Sequence, residues 1–179
     1  MSETQCQQKT WIRCADTAKF IRKALKREFP GASFSVRSKT YSGGASIDID
    51  WEDGPTLDAV KSLTCRYRGA TFDGMIDLKE YHSGELTYRD DPKRDGECVQ
   101  FGADFIFCER RYSEAKARKV RDELVAKWSR APGDFPELRE SYGCGWVLDW
   151  DHPSNDGRNS GPGGCDPSYQ FQQAIEERN

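Results

Sequence analysis

The amino-acid sequence predicts an α+β protein in which a helix–hairpin–helix unit extends into a mixed or antiparallel sheet, with the helices packed on one face. Three observations predict this class. Apolar residues recur at helical spacing in residues 16–29, 55–67 and 113–128. Apolar and polar residues alternate in ASIDIDW, residues 45–51, as they do in a half-buried strand. Neither helix that flanks this strand can bury its apolar stripe alone, so we expect both helices to pack on the sheet.

The first helix is predicted to begin at Asp16, a favourable N-cap residue, and to end near Phe29, before Pro30 and Gly31. The segments SFSVRS and ASIDIDW follow it and form the hairpin. The turn between them, YSGG, has two interpretations. Its glycines can supply the positive φ angles of a hairpin connection, or their N–H groups can bind an anion. No helix begins directly after these glycines, which favours the turn.

The later elements are predicted by the same patterns. The second helix is expected to start near Pro55, a residue favoured at the first helical position. Residues 69–87 contain short extended pieces around glycines, and the alternation in CVQFGADFIFC, residues 98–108, predicts one continuous strand. Ser113 is predicted to cap a third helix that ends near Trp128.

Composition and charge divide the chain into three regions. We expect a flexible N-terminus at residues 1–10, a single α+β domain at 11–130, and an acidic C-terminal extension at 131–179 with a Gly/Pro-rich loop and a short helix. The net charge of the 179 residues is −3, but it is +4 over residues 1–70 and −6 over the extension. This split indicates a local contact with an anionic partner and argues against bulk coating of nucleic acid.

The sequence also argues against several classes of protein. No apolar run reaches the roughly 18 to 20 residues that a membrane span needs, and no secretory signal is visible, so we expect a cytoplasmic location. The seven cysteines include no Cys-x-x-Cys pair, and we expect reduced thiols. The two histidines, His82 and His152, fit no structural zinc pattern, so we predict no metal site and no cofactor.

Pairs of carboxylates are the main catalytic candidates in the sequence. Asp73, Asp77 and Glu80 cluster in FDGMIDLKE, and Asp48 and Asp50 share one face of a strand. Such pairs can act as acid and base or bind a divalent ion. With 30 acidic residues, however, close pairs arise by chance, and no nucleophile motif accompanies them. We therefore predict no catalytic residues.

A long string within residues 16–86 is similar to a known family. The string FSVRSKTYSGGASIDIDWEDGPT, preceded by DTAKFIRKALKREFPGAS and followed by RYRGATFDGMIDLKEYH, resembles the large polyvalent protein-associated domain 29 (LPD29) family. Residues 98–128 show a weaker similarity. The family is known from phages, plasmids and conjugative elements. The resemblance implies an accessory or effector protein that is deployed in a bacterial host cell, and it brings no catalytic residues.

A basic surface is the main candidate binding site. The first helix carries five cations at spacing i, i+3, i+4, i+7 and i+8 on the face opposite Ile21 and Leu25, with no acid between Asp16 and Glu28. Three further residues lie beside the YSGG turn. The predicted partner- or anion-binding residues are Lys19, Arg22, Lys23, Lys26, Arg27, Arg37, Lys39 and Tyr41. The alternatives are an ordinary solvated face and a face that pairs with the acidic extension of the same chain.

Three functions are consistent with these patterns. The leading hypothesis is a non-catalytic accessory protein of a phage or mobile element, which binds a host protein or nucleoprotein complex and inhibits a host defence system such as CRISPR. The first alternative is a nucleic-acid-binding module that uses the basic first helix and stacks Tyr41 on a base. The second alternative is an enzyme that uses carboxylates and a divalent metal ion.

Overall fold

The computed structural model describes residues 9–75, 78–128, 137–141, 145–148 and 167–177. These residues contain four helices and ten strands, and the α+β class is therefore confirmed. The helices are α1 (Cys14–Glu28), α2 (Leu57–Thr64), α3 (Glu114–Trp128) and α4 (Pro167–Glu176). The strands are β1 (Thr10–Ile12), β2 (Phe34–Tyr41), β3 (Gly44–Glu52), β4 (Ala70–Asp73), β5 (Leu78–Tyr81), β6 (Gly84–Glu85), β7 (Cys98–Phe101), β8 (Phe105–Arg111), β9 (Leu138–Ser141) and β10 (Gly145–Leu148).

The described strands form four small sheets, where the sequence indicated one extended sheet. Two sheets have three strands, in the orders β1-β7-β6 and β2-β3-β8, and two are the pairs β4-β5 and β9-β10. Strand β1 runs parallel to β7, whereas β6 runs antiparallel to it. Both two-stranded sheets are antiparallel. The strands of the predicted hairpin, β2 and β3, are neighbours in the sheet that β8 completes.

The long helices lie where apolar spacing placed them. Helix α1 starts at Cys14, two residues before the expected Asp16, and Asp16 lies in its first turn, where its charge favours the positive end of the helix dipole. Ser113 caps α3 as predicted, because its Oγ accepts a hydrogen bond from Lys116 N at 3.2 Å. Helix α2 starts at Leu57, after a turn in which Asp53 and Gly54 have positive φ angles of 54° and 57°.

The prediction of one continuous strand at residues 98–108 is wrong. The chain leaves β7 after Phe101 and begins β8 at Phe105, and the two strands belong to different sheets. The link at residues 102–104 also changes which residues face inward. Val99 and Phe101 are buried in β7, but in β8 Ile106 is buried and Phe107 is 50% exposed. Alternation is local, so it cannot reveal that three residues between two strands reverse the buried face.

Strand β1 was not predicted. Residues 1–10 were expected to be flexible. Residues 1–8 lie outside the described part of the chain, and Thr10 already pairs with Val99. The other element without a sequence signal is β9, which pairs with β10. Both are short strands whose stability depends on a partner strand, and they show little alternation of their own.

The chain divides into two compact units, of which the first comprises residues 1–50 and 58–108. Helix α1 buries Ile21, Ala24 and Leu25 of the predicted stripe, and also Ala18, whereas Phe29, the fourth predicted position, follows the helix and is partly buried. The largest fully buried side chains of this unit are Ile21, Leu25, Ile47, Ile49, Val60, Tyr67, Leu86 and Phe101. Burial of a Leu or Ile side chain of this kind contributes about 1.5 to 3 kcal/mol. The three-region division predicted from composition stays a prediction.

The second unit comprises residues 51–57 and 109–179. Its core includes Tyr112, Ala117, Val120, Leu124, Val125, Leu148, Phe171 and Ile175. The buried guanidinium of Arg110 donates hydrogen bonds to the carbonyl oxygens of Asp53, Gly54 and Glu176 at 3.1, 2.7 and 2.8 Å. The carboxylate of Asp53 accepts hydrogen bonds from Ser113 N and Oγ at 3.1 and 2.6 Å, which fixes the start of α3.

The structure bears on two further expectations, reduced cysteines and the absence of a membrane span. Cys98 is disulfide-bonded, so the expectation of reduced thiols is wrong for this residue, whereas Cys14, Cys65 and Cys108 are free. Among the described helices, none combines the length and the apolar character that a membrane span requires.

Candidate functional site

A groove of about 690 Å³ opens on the first unit and is the site where separate parts of the sequence meet. Its lining comes from residues 11–19, 40–45, 79–81 and 102–104. We call it the aromatic groove and define it by Trp11, Arg13, Cys14, Asp16, Lys19, Tyr41, Gly44, Lys79, Tyr81 and Asp104. The YSGG turn therefore borders a cavity, as do two of the predicted binding residues, Lys19 and Tyr41.

A buried carboxylate, that of Asp104, forms the floor of the aromatic groove. Its Oδ2 accepts a hydrogen bond from Ala45 N at 2.9 Å and lies 2.7 Å from Lys79 Nζ, while Asp104 N donates to Ala45 O at 2.9 Å. These contacts fix the 102–104 link to the start of β3. Burial works to lower the pKa of Lys79, but its hydrogen bonds with Asp104 and Tyr81 outweigh this and raise the pKa. Lys79 therefore stays cationic at neutral pH.

The glycines of the YSGG turn are needed for close packing against this carboxylate. A Cβ atom on Gly44 would lie 2.6 Å from Asp104 Oδ2 and 3.2 Å from the Tyr41 ring. Gly43 has a φ angle of +93°, a conformation that side chains other than glycine rarely adopt. The turn thus brings the start of β3 against Asp104 and leaves the groove open above it.

Three aromatic side chains surround the opening of the groove. Trp11, Tyr41 and Tyr81 are 55%, 48% and 55% exposed, although each is large enough to contribute substantially to a core. Lys79 Nζ lies 5.0 Å from the centroid of the Tyr81 ring, which is the distance of a cation–π contact. The groove therefore offers exposed ring surface beside fixed positive charge.

Two more cations stand at the N-terminal end of α1, and both share one acid. Arg13 Nη2 lies 2.9 Å from Asp16 Oδ2, and Lys19 Nζ lies 2.8 Å from Asp16 Oδ1. The hydrogen bonds from Lys19 and from Arg13 hold the pKa of Asp16 below its usual range. The side chains of Arg13 and Lys19 are 78% and 65% exposed. Ion pairs this exposed contribute little stability, so an external anion can replace Asp16 as their partner.

The thiol in the groove is not an activated nucleophile. Burial raises the pKa of Cys14, and the charge of Asp104 raises it further. The thiol donates a hydrogen bond to Ser46 O at 3.5 Å. Because the thiolate is the reactive form, Cys14 has the environment of a structural cysteine.

No group of three or more metal-ligating side chains occurs among the residues that the structure describes. Of the carboxylates noted in the sequence, Asp48 and Asp50 lie on β3 and each pairs with a cation of β2. Asp77 lies outside the described residues. The carboxylate enzyme therefore stays a prediction.

The sequence of this chain matches the model of one protein family. The model of the large polyvalent protein associated domain 29 matches residues 12–113, which is more than half of the chain. The chain belongs to this family. No curated protein and no solved structure matches it. The matched region of the LPD29 chain contains every residue that defines the aromatic groove except Trp11, which directly precedes it.

The hairpin cations of the LPD29 chain are neutralised by acids on the neighbouring strand. Arg37 Nη2 lies 2.6 Å from Asp50 Oδ2, and Lys39 Nζ lies 2.7 Å from Asp48 Oδ2. In the sequence these cations and acids are separate candidates, but the structure joins them as opposite-charge pairs between β2 and β3. Whether Arg37 and Lys39 bind a partner stays a prediction.

The five cations of α1 do not form one uniform surface. Lys19 pairs with Asp16, Arg22 donates a hydrogen bond to Val36 O, and Arg27 pairs with Glu28 and reaches Arg89 O. Lys23 and Lys26 have no ion pair or hydrogen bond within the described part of the chain. Two acids of α1 itself, Asp16 and Glu28, thus neutralise part of the positive charge on this face.

Sequence reasoning missed Trp11, Arg13, Lys79, Tyr81 and Asp104 as members of a site. They come from three distant parts of the sequence, in short strands or in the links between elements, so no spacing rule joins them. One signal was available, because Asp104 is a single acid between the apolar residues Ala103 and Phe105. A carboxylate within such a run is costly to bury unless it gains partners.

Proposed function

We propose that this chain is a non-catalytic accessory protein of a phage or mobile element, which acts by binding a host protein complex and inhibiting it, with a defence system such as CRISPR as the expected target. Membership of the LPD29 family supports the origin. The observation that carries the binding role is the surface of the hairpin formed by β4 and β5.

The β4–β5 hairpin exposes large apolar side chains on both of its faces. Phe72 is opposite Lys79, and Leu78 is opposite Asp73, so Phe72 and Leu78 point to different sides. They are 48% and 56% exposed, and Met75 at the tip is 95% exposed. A hairpin that serves only the core of its own protein buries one face. Apolar exposure on both faces is typical of an element that inserts into a partner.

The charge of the hairpin indicates the chemistry of that partner. Residues 72–81 contain Asp73, Asp77 and Glu80 but only one cation, Lys79. Lys79 is already paired with Asp104, so the remaining charge is acidic. We therefore propose a partner that has an apolar pocket surrounded by Lys and Arg, the type of surface with which nucleic-acid-binding host proteins contact phosphates. Complementary charge would mainly accelerate the association.

The test is capture of host proteins by the immobilised chain from a nuclease-treated bacterial lysate, followed by reconstitution with the purified partner. We expect one basic, nucleic-acid-binding complex to be captured and its activity to be inhibited. The double variant Phe72→Ser/Leu78→Ser should lose both capture and inhibition. Tyr88→Ser, which alters a 66% exposed ring outside the hairpin, should retain both.

Two results would contradict this proposal. Capture that is unchanged in the hairpin double variant would mean that the hairpin is not the docking element. Turnover of nucleic acid or nucleotide by the purified chain, abolished by Asp73→Asn, would instead support the carboxylate enzyme. A rise in melting temperature on addition of Mg²⁺ would point the same way.

A second candidate function is nucleic-acid binding by the basic helix, and fewer cations support it in the structure than in the sequence. It rests on Lys23 and Lys26, since the other cations of α1 have partners in the described residues. The double variant Lys23→Glu/Lys26→Glu should abolish such binding. An unchanged affinity would exclude this face as the contact.

A further inference from the structure

We propose that the aromatic groove binds single-stranded nucleic acid, with an unpaired base stacked on the rings of Trp11, Tyr41 or Tyr81 and the flanking phosphates held by cations at the start of α1. This proposal does not depend on the proposed function, because it uses side chains other than Phe72 and Leu78. It extends the predicted helix interface, which already contains Lys19, Lys23 and Tyr41, by Trp11, Tyr81 and the floor of the groove.

The rings that line the groove provide a stacking surface. Trp11, Tyr41 and Tyr81 come from β1, β2 and β5, three separate strands, yet all three line one cavity and stay about half exposed. Aromatic side chains on which successive bases stack are the usual binding surface of proteins that hold single strands. A duplex cannot use such a surface, because its bases are already stacked on one another.

Positive charge lies beside these rings. A neighbouring cavity of about 460 Å³ shares Trp11, Arg13 and Lys19 with the aromatic groove and adds Lys23 and Arg94. The charged residues that line the two cavities are the cations Arg13, Lys19, Lys23, Lys79 and Arg94 and the acids Asp16 and Asp104. Arg94 pairs with Glu97, and Lys79 pairs with Asp104. The excess positive charge of the lining therefore comes from Arg13, Lys19 and Lys23, beside the single acid Asp16, and it favours an anion at this place although the whole chain is acidic.

The volumes of the two cavities also suit such a ligand. The volume of the aromatic groove, about 690 Å³, falls within the range of roughly 300 to 1,000 Å³ that is common for small-ligand sites. The neighbouring cavity of about 460 Å³ is also lined by Trp11, so the two cavities share this ring. A ligand with one planar group in the groove and its anionic backbone continuing past Trp11 fits both cavities, and a strand of nucleic acid is such a ligand.

The experiment is a fluorescence-anisotropy titration of the full chain with a labelled 12-nucleotide single strand and with the matching duplex. We expect the single strand to bind and the duplex to bind at least tenfold more weakly. Trp11→Ala and Tyr81→Ala should each weaken single-strand binding about 5- to 100-fold, which corresponds to the loss of one stacked base. Tyr88→Ala removes an exposed ring elsewhere and should have no effect.

The salt dependence of the affinity distinguishes phosphate contacts in the groove from nonspecific adsorption. Lys19→Ala and Lys23→Ala should each reduce the slope of log K against log salt concentration by about 0.7, the value for one phosphate of a single strand. Lys61→Ala, on α2 and outside both cavities, is the matched control and should leave the slope unchanged. Thermal unfolding of each variant establishes that it is folded.

The outcomes are distinct. Equal binding of single strand and duplex, no binding of either, or equal affinities for the Trp11→Ala and Tyr88→Ala variants would each overturn the proposal. The Phe72→Ser/Leu78→Ser variant should keep single-strand binding even where it loses capture of the host complex. Failure of this inference and failure of the proposed function are therefore distinguishable.

Discussion

Two regions of the first unit use the same kinds of residues for opposite purposes. At the loop that follows β6, the carboxylate of Asp90 is 2% exposed and pairs with Arg66. It also accepts hydrogen bonds from Tyr67 Oη at 2.6 Å and from Thr87 N and Oγ1 at 3.0 and 2.7 Å. In the aromatic groove, Asp16 pairs with the exposed cations of Arg13 and Lys19, and the rings of Trp11, Tyr41 and Tyr81 stay about half exposed.

The difference between the two regions lies in how fully the polar groups are satisfied. Around Asp90, every bond is made inside the protein, so the cluster stabilises the loop and has little to offer a ligand. In the groove, the exposed cations of Arg13 and Lys19 make bonds that a ligand can replace. Ionic contacts alone therefore do not mark a site, because burial separates the structural charges from those available for binding.

The largest effect is expected from Asp90→Asn, which acts only on the buried region. The amide cannot accept all the hydrogen bonds that the carboxylate accepts, and it cannot neutralise Arg66. We expect the free energy of unfolding to fall by about 2 to 3 kcal/mol, measured by urea denaturation. Asp91→Asn, next in the chain and less buried, is the matched control and should cost little. A change in single-strand affinity without a loss of stability would contradict a purely structural role for Asp90.

The pH dependence of the unfolding free energy tests the buried Asp90 cluster separately. Burial works to raise the pKa of Asp90, but the hydrogen bonds from Tyr67 and Thr87, together with the charge of Arg66, lower it below its ordinary value. Because the folded pKa lies below the unfolded one, this stabilisation is complete above about pH 4 and is lost as the pH falls through the folded pKa. Urea midpoints between pH 6 and pH 3 should therefore fall more steeply for the wild type than for Asp90→Asn. Parallel curves would contradict this assignment.

A smaller effect on stability, with a larger effect on binding, is expected from Gly44→Ala. The new Cβ meets Asp104 Oδ2 and the Tyr41 ring, so either the carboxylate or the ring must move. We expect a loss of about 1 kcal/mol in stability and a clear loss of single-strand affinity. Gly31→Ala is the control, since a Cβ on Gly31 would meet nothing within 4 Å. Unchanged binding by Gly44→Ala would show that the groove floor is not part of the site.

The smallest effect is expected from the pair formed by Arg37 and Asp50. The Arg37 side chain is 64% exposed, and exposed pairs typically contribute less than about 1 kcal/mol. A double-mutant cycle with Arg37→Ala and Asp50→Ala should give a coupling free energy of about 0.5 kcal/mol. A much larger coupling would place this pair with Asp90 as a structural contact.

The fold was predictable where its signals are local. Helices α1 and α3 follow from apolar spacing, and α3 also from its Ser113 cap, whereas α1 begins two residues before Asp16, the predicted cap. Strand β1 was missed because three residues carry too short a pattern, and their partner in the sheet, Val99, lies far along the chain. The split between β7 and β8 was missed because alternation continues through residues 98–107 of the sequence while the chain changes sheets.

The candidate site was predictable only in part. Lys19 and Tyr41 were identified because a cationic helix and a glycine turn are visible in the sequence. The pairing of Lys39 with Asp48 was not recognised, although the hairpin was, because the register between two strands depends on the turn geometry. Trp11, Tyr81 and Asp104 could not be joined to the site, since only the folded chain brings them to one cavity.

The link at residues 102–104 has a consequence for how this chain can evolve. Strand β7 directs Val99 and Phe101 inward, whereas β8 directs Ile106 inward, so the link carries the chain from odd to even positions. Insertion or deletion of one residue there would exchange the inner and outer faces of β8 along its whole length. Among relatives, changes in chain length should therefore accumulate in surface loops, such as residues 91–96, and be rare between Phe101 and Phe105.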